Sequence, residues 1–370
     1  MKLSQCRAAA YINLKNAEYN YNAVKACLGG GVKTLPVIKA DAYGHGALPL
    51  ARLYERLGAH MLCVAGIDEA ISLRENEITL PILILGPTLP EYAPYLERYD
   101  ICQAVHSTEY ASALEKQIPD GGRLKIHIKA DTGMRRVGFT RIEEMTALLD
   151  SKKLEVCGLF THYAESDSPD SDFTEHQLVR YLEAEKRFNG QGILRHTANS
   201  AAVLCFPQTH FDAVRPGIVL YGSYPSSEVK RLYEKSHAPL KPLMSFTSHV
   251  SHIFEVEPGE TIGYSRTFRA PKKMRVATVS AGYADGVPRA LSNRGRVGVD
   301  GNMCDIVGNI CMDQFMIDIS AYNNIKLYDR VVIFGEGGPS CEEIAELCGT
   351  ISYEIYCSVA KRVGREYIGG

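Results

Sequence analysis

Leu62-Cys63-Val64-Ala65, then the amphipathic Asp68-Glu69-Ala70-Ile71-Ser72-Leu73-Arg74, then Ile82-Leu83-Ile84-Leu85 follow one another along the chain. A short, wholly apolar run marks a strand buried on both faces, and a stretch of helical period between two such runs makes a parallel βαβ unit. The same alternation recurs from residue 30 to residue 221, with strands predicted at 35–39, 62–65, 82–85, 102–105, 124–129, 157–161, 193–196 and 218–221. Helical periodicity fills the gaps, for example over 174–188. Eight units predict a closed (β/α)8 barrel of TIM type rather than an open sheet, with its active site at the carboxyl ends of the strands.

Beyond Tyr221 the texture changes. Residues 222–242, rich in Ser, Lys and Pro, read as a linker. Residues 245–256, 274–279, 296–299, 315–319 and 331–334 alternate apolar and polar positions between Gly, Asn and Asp turns, interrupted by one helix-like stretch at 341–348. That pattern predicts a mostly antiparallel β domain. The expected organisation is α/β followed by β: an N-terminal strand within 1–11 packing with the C-terminal domain, a barrel over 12–235, and a β-rich domain over 236–370.

Composition narrows the function. The 370 residues carry 41 basic and 43 acidic side chains, and a net charge of -2 excludes a strongly basic nucleic-acid binder. The longest apolar runs, such as 80–85, fall far short of the ~20 residues that cross a bilayer. Met1-Lys2-Leu3-Ser4-Gln5-Cys6 leads into no apolar run of signal-peptide type, so a cytoplasmic location is expected. The 11 cysteines are scattered and include no Cys-x-x-Cys, which predicts reduced thiols and no metal site.

The sharpest local signal is Val37-Ile38-Lys39-Ala40-Asp41-Ala42-Tyr43-Gly44-His45-Gly46. A lysine ending an apolar barrel strand points into the barrel mouth, where desolvation lowers an amine's pKa and leaves it able to condense with a carbonyl. The plain alternative is a surface lysine at a strand end.

This segment resembles the pyridoxal-phosphate lysine motif of the alanine racemases, and the resemblance continues along essentially the whole chain. His127-Ile128-Lys129-Ala130-Asp131-Thr132-Gly133-Met134-Arg135-Arg136-Val137-Gly138 is similar to a second signature of that family. Thr161-His162-Tyr163-Ala164, His196-Thr197-Ala198-Asn199-Ser200, Val214-Arg215-Pro216-Gly217-Ile218 and Gly308-Asn309-Ile310-Cys311-Met312-Asp313-Gln314-Phe315 follow in the family's order. The family's fold, a barrel followed by a β domain, matches the organisation read above.

The resemblance implies roles. Lys39 would hold pyridoxal 5'-phosphate through its amine and serve as one of two proton-transfer groups. Tyr43, Ser200 and the amides of Gly217 and Ile218 would bind the phosphate, with Ser200 after the seventh strand and Gly217 and Ile218 where the eighth begins; Ser200 also reads as an ordinary helix cap. Arg215 would face the pyridine nitrogen, donating a hydrogen bond without giving up its proton. His196 would support Arg215 and His162 would pack on the ring face, although either reads equally as a buried core imidazole.

Racemisation requires one proton-transfer group on each face of Cα, and the resemblance assigns the second to Tyr264, contributed by the partner subunit of a head-to-tail homodimer. A phenol ordinarily titrates near ~10, so such a base needs positive charge or hydrogen-bond donors beside it. Packing within a β domain is the ordinary alternative. Arg136 and Met312 match contacts to the substrate carboxylate, the latter again from the partner, with Asp313 beside it. Tyr283 lines the entrance, and Tyr353 lies at the cofactor and narrows the alanine pocket. Lys129 matches a position that is often carbamylated; a plain ion pair is the alternative.

Asn309 stands where an arginine is common in the family, a change expected to weaken an entrance-channel charge. The expected activity is interconversion of L- and D-alanine supplying D-alanine for peptidoglycan. The alternatives are a serine racemase of the same family, which tends to carry a smaller polar residue than Tyr353, and a noncatalytic pyridoxal-phosphate carrier, which resembles the barrel alone. Neither nucleic acid nor membrane is an expected partner.

Overall fold

A computed structural model describes residues 7–369 of the chain. Its contacts divide into two units: residues 17–42 with 47–241, and residues 43–46 with 242 onward and the described residues up to Asn16.

The first strand, β1 (Ala9–Asn13), belongs to the second unit; the part of the expected N-terminal strand at residues 1–6 lies outside the described residues. The first unit holds β2 (Lys33–Thr34), β3 (Leu62–Val64), β4 (Ile82–Ile84), β5 (Ile101–Val105), β6 (Leu124–Lys129), β7 (Leu154–Phe160), β8 (Leu194–His196) and β9 (Ala213–Val214). Neighbours pair in parallel in the order β2-β9-β8-β7-β6-β5-β4-β3. The ring closes where Val37, just beyond β2, bridges Cys63 of β3. Every residue of β3, β4 and β5 is buried, because helices cover the outside while side chains fill the inside. Helix Ala47–Arg56 shows how: Leu50, Ala51, Leu53 and Tyr54 form one buried stripe at helical spacing.

Two expectations need correction here. Residues 218–221 are not the eighth strand but a 3-10 turn, Ile218–Tyr221, and the eighth strand is β9. Four apolar residues do not distinguish strand from turn, and Gly222, at φ 83, stops the chain at once in the left-handed region. Gly217 and Ile218 therefore lie beyond the carboxyl end of the last barrel strand, not at its beginning. Within the expected linker, Ser227–Tyr233 is a helix capped by the Ser226 side chain, and it buries Val229 and Tyr233.

The segment after Lys39 carries the fold's most unusual backbone. Ala40, Asp41, Ala42 and Tyr43 all sit at φ 52–53, a left-handed turn with no glycine in it. Such a conformation costs roughly 1–2 kcal/mol per residue, so neighbours must hold it in place. Glu69 accepts from the amides of Ala40 at 2.6 Å and Ala65 at 2.7 Å, and Asp41 accepts from Ala47 at 2.7 Å.

The second unit contains β10 (Met244–Val256), β11 (Thr261–Ile262), β12 (Phe268–Arg269), β13 (Met274–Val279), β14 (Arg296–Val299), β15 (Asn302–Val307), β16 (Phe315–Asp318), β17 (Arg330–Phe334) and β18 (Gly364–Ile368). Eight of its strands join in the order β13-β16-β15-β14-β17-β10-β1-β18, antiparallel except for β1 with β18. The 13-residue β10 pairs with β1 and β17 along its first half and with β13 from Val250 onward, where the register shifts between Val250 and His252. Two helices interrupt the strands rather than one: Cys341–Cys348, with a Ser340/Glu343 capping box, and Ser352–Ser358. Tyr43–Gly46 packs on the latter. Gly44, at φ 77, has no room for a Cβ, which would overlap the carbonyl oxygen of Tyr356.

Candidate active site

The carboxyl ends of the barrel strands collect charged side chains. Lys39 follows the extended continuation of β2, Lys129 ends β6, His162 lies two residues past β7, His196 ends β8 and Arg215 follows β9. Arg215 is 3% exposed and spends its two terminal nitrogens inside the protein. Nη1 donates to His196 Nδ1 at 2.7 Å and to the His196 carbonyl, and Nη2 donates to the carbonyls of Thr161 and Thr197 and, at 3.4 Å, to His162 Nδ1. Its Nε–H donates to no described residue, which leaves one directed donor for a ligand.

Electrostatics link the same residues. Burial, followed by the charges of Arg215, Arg136, Lys129 and Lys39, holds the His162 imidazole well below its usual range. Burial and Arg215 do the same to His196. Lys129 is pushed down to about 8 by burial and by the neighbouring charges of Arg136 and Arg215, so it is mostly charged at pH 7 and gains neutral amine as the pH approaches 8. Burial also brings Arg215 down to about 10, and it remains charged at pH 7. Cationic side chains outnumber the nearby acid, Asp131, which suits a ligand carrying phosphate and carboxylate groups.

At the phosphate end, Asn199 and not Ser200 caps helix Ser200–Cys205. Ser200 Oγ instead accepts from Gly217 N at 2.8 Å, joining the two segments predicted to bind phosphate. The His162 loop is fastened by a residue the sequence did not single out: buried Gln177 donates to the His162 carbonyl at 3.0 Å and accepts from Ala164 N at 2.9 Å.

In the second unit the expected residues fall into two groups. The Tyr43 and Tyr353 rings lie 5.8 Å apart, centroid to centroid. Tyr264, Tyr283 and Met312 are exposed at 72%, 44% and 53%, unusual for large apolar side chains. Tyr264 borders a hollow of about 860 Å³ with Ile262, Cys311 and Met316. Its flanks are strained, with Ser265 at φ 61 and Arg266 at φ 54. Asn309 Nδ2 donates to the Tyr264 carbonyl at 2.8 Å, so the substitution noted in the sequence bears on the segment that carries Tyr264 as well as on charge.

Met312 and Tyr283 are tied together, since the amides of Tyr283 and Ala284 donate to the carbonyls of Cys311 and Met312. Beneath them buried Asp285 pairs with Arg362 at 2.7 Å and Arg7 at 3.1 Å. The Asp313 carboxylate is engaged by Arg362 at 2.7 Å and held below the usual carboxylate range by it.

Comparison with known proteins identifies the family of both units. Residues 12–225 match the model of the alanine racemase N-terminal domain, and residues 243–367 match that of the C-terminal domain. The alanine racemase of Desulforamulus reducens is 40% identical over 368 residues, covering 97% of this chain and 98% of its own. A solved alanine racemase from Clostridium difficile superposes with a TM-score of 0.92 at 38% identity, over 98% of this chain and 96% of that one. The alanine racemase from Bacillus anthracis, solved with bound L-Ala-P, gives 0.91 at 34% identity over 98% and 95%. Matched at this level through both units, the chain belongs to the alanine racemase family.

Proposed function

We propose that this chain interconverts L-alanine and D-alanine using pyridoxal 5'-phosphate carried on Lys39, and that it works in the cytoplasm as a homodimer supplying D-alanine for peptidoglycan. The observation that carries the reading is Arg215: a buried guanidinium, fixed by five acceptors and with its Nε–H unspent, is suited to meet a ring nitrogen at the barrel mouth. The donor set fits the cofactor. Ser200 and the amide of Ile218, beyond the seventh and eighth barrel strands, suit its phosphate together with Tyr43, and the Gly217 amide, which donates to Ser200 Oγ, would turn to the phosphate when it binds. When bound, pyridoxal phosphate supplies a carbonyl that condenses with an amine and a ring that spreads charge from Cα.

The protein's residues divide the remaining work. Lys39 Nζ moves the proton on one face of Cα. Tyr264 Oη, from a second copy of the chain, moves it on the other. Arg215, charged yet unable to release its proton, keeps the ring a weak acceptor of charge and so favours return of the proton to Cα. His196 holds Arg215, and neutral His162 packs against the ring without adding charge. Arg136 and the amide of Met312 take the substrate carboxylate, Tyr283 and Asp313 complete the partner's wall, and Tyr353 beside Tyr43 limits the pocket to a methyl-sized side chain. Carbamylated Lys129 would neutralise and orient Arg136.

The test is direct. Purified protein with added cofactor should turn L-alanine into D-alanine, and borohydride should fix the label on Lys39; turnover of L-serine in preference to L-alanine, or label on another lysine, refutes the assignment.

A further inference from the structure

A second buried histidine stands behind His196. His127, in the middle of β6 and 1% exposed, places Nδ1 2.8 Å from His196 Nε2, while His196 Nδ1 receives Arg215 Nη1 at 2.7 Å. The three side chains form one line of hydrogen bonds through the barrel core, and their protons have one consistent arrangement. Guanidinium only donates, so His196 Nδ1 must accept. Neutral His196 then carries its proton on Nε2 and gives it to His127 Nδ1. His127 is left protonated on Nε2.

The surroundings enforce neutrality and position. Burial, with Arg215 and His60 adding, pushes His127 down to about 3, and burial with Arg215 and His127 keeps His196 well below its usual range. Phe160 stacks on His196 at 4.9 Å with the rings 9° from parallel, and the Arg215 guanidinium lies 5.1 Å from the same phenyl ring. On the neighbouring strand, Gly158 pairs in register with His127, and a Cβ at that position would overlap the imidazole.

We propose that His127 is a positioning residue: by accepting from His196 Nε2 it fixes the tautomer that His196 presents to Arg215, and so the direction in which Arg215 offers its Nε–H. The inference rests on the proposed role of Arg215 at the cofactor ring. A merely packed histidine would be replaceable by an apolar side chain of similar size. A tautomer lock would not. His127→Leu fills the space without an acceptor, whereas the carbonyl oxygen of His127→Asn can stand where Nδ1 stood.

The experiment uses nitrogen-15 NMR of cofactor-free protein labelled at histidine, followed by titration with pyridoxal phosphate. Wild type should show His196 and His127 protonated on Nε2. His127→Asn should keep the His196 pattern, and His127→Leu should shift it toward Nδ1 protonation and weaken cofactor binding about tenfold, the value of one hydrogen bond. His196 protonated on Nδ1 in wild type, or unchanged His196 tautomer and affinity in His127→Leu, overturns the proposal. Should His127→Leu not fold, the wild-type tautomers and the His127→Asn affinity, expected within about threefold of wild type, decide it. Arg215→Lys separates the two readings: if it leaves affinity unchanged, the assignment of Arg215 to the cofactor fails; if it weakens binding while a folded His127→Leu does not, only the positioning role fails.

Discussion

Glu69 Oε1 accepts a hydrogen bond from the amide of Ala40 at 2.6 Å, on the residue next to Lys39, and Glu69 Oε2 accepts from Ala65 at 2.7 Å. One carboxylate thus fastens the left-handed turn to the loop after β3. The strain sits beside the residue that would hold the cofactor, where departures from ordinary backbone tend to gather.

Glu69→Ala removes both bonds and weakens the support of the strained turn. A hydrogen bond to a charged group contributes about 1.5–3 kcal/mol, and with both bonds discounted because the carboxylate is half-exposed a stability loss of about 2–4 kcal/mol is expected, with Glu69→Gln losing about half as much. Urea unfolding measures it; a change under about 0.5 kcal/mol would show that the turn needs no such support.

Acid should unfold the cofactor-free protein early. His127, His162 and His196 all titrate below the ordinary imidazole range when folded. Below about pH 6.5 the unfolded chain binds protons that the folded chain refuses, so stability falls as pH drops. Each group contributes up to about 1.4 kcal/mol per pH unit. Urea midpoints should stay level from pH 8 to 7 and decline below 6.5; a level midpoint down to pH 5 contradicts the buried neutral imidazoles.

Lys129, at about 8, is the amine best placed to react with dissolved carbon dioxide, forming an N–C bond and releasing a proton to water. Carbon-13 bicarbonate at pH 8 should give a carbamate NMR signal that Lys129→Ala abolishes. A wild-type spectrum without it would leave Lys129 as a plain cation.

Asn309 holds the Tyr264 carbonyl across 45 residues of sequence. Asn309→Ala should lower turnover about fivefold, the value of about 1 kcal/mol, and Asn309→Asp, which cannot donate, should do the same. In a Tyr264→Phe background the substitution should add nothing, because both changes act through one group. Full additivity would assign Asn309 to entrance charge alone.

The sequence located several barrel strands well: Leu124–Lys129 appears as expected, and Leu62–Val64 and Ile82–Ile84 differ by a single residue at one end, whereas the strand expected at 35–39 is β2 at Lys33–Thr34. It failed where periodicity carries no information. Ile218–Tyr221 is as apolar as a strand, and only the left-handed Gly222 reveals the turn. Ser352–Ser358 is too short to display a helical period. Among site residues, most of those within the quoted motifs could be given roles, whereas Glu69, His127, which opens one of those motifs, Gln177 and the contact of Asn309 with Tyr264 could not. His127 sits between Ile126 and Ile128 on a buried strand, and only pairing with β7 and β8 shows that it faces His196. The turn at Ala40–Tyr43 has no glycine to betray it, because Glu69, some thirty residues later, helps to stabilise it.

The account depends on two different groups addressing opposite faces of one carbon, and isotope exchange at Cα tests this most directly. With Tyr264→Phe in heavy water, deuterium incorporation at Cα should fall by at least about 100-fold for one alanine enantiomer, as expected for a lost general base, and stay near wild type for the other. Small, equal losses for both enantiomers would contradict it.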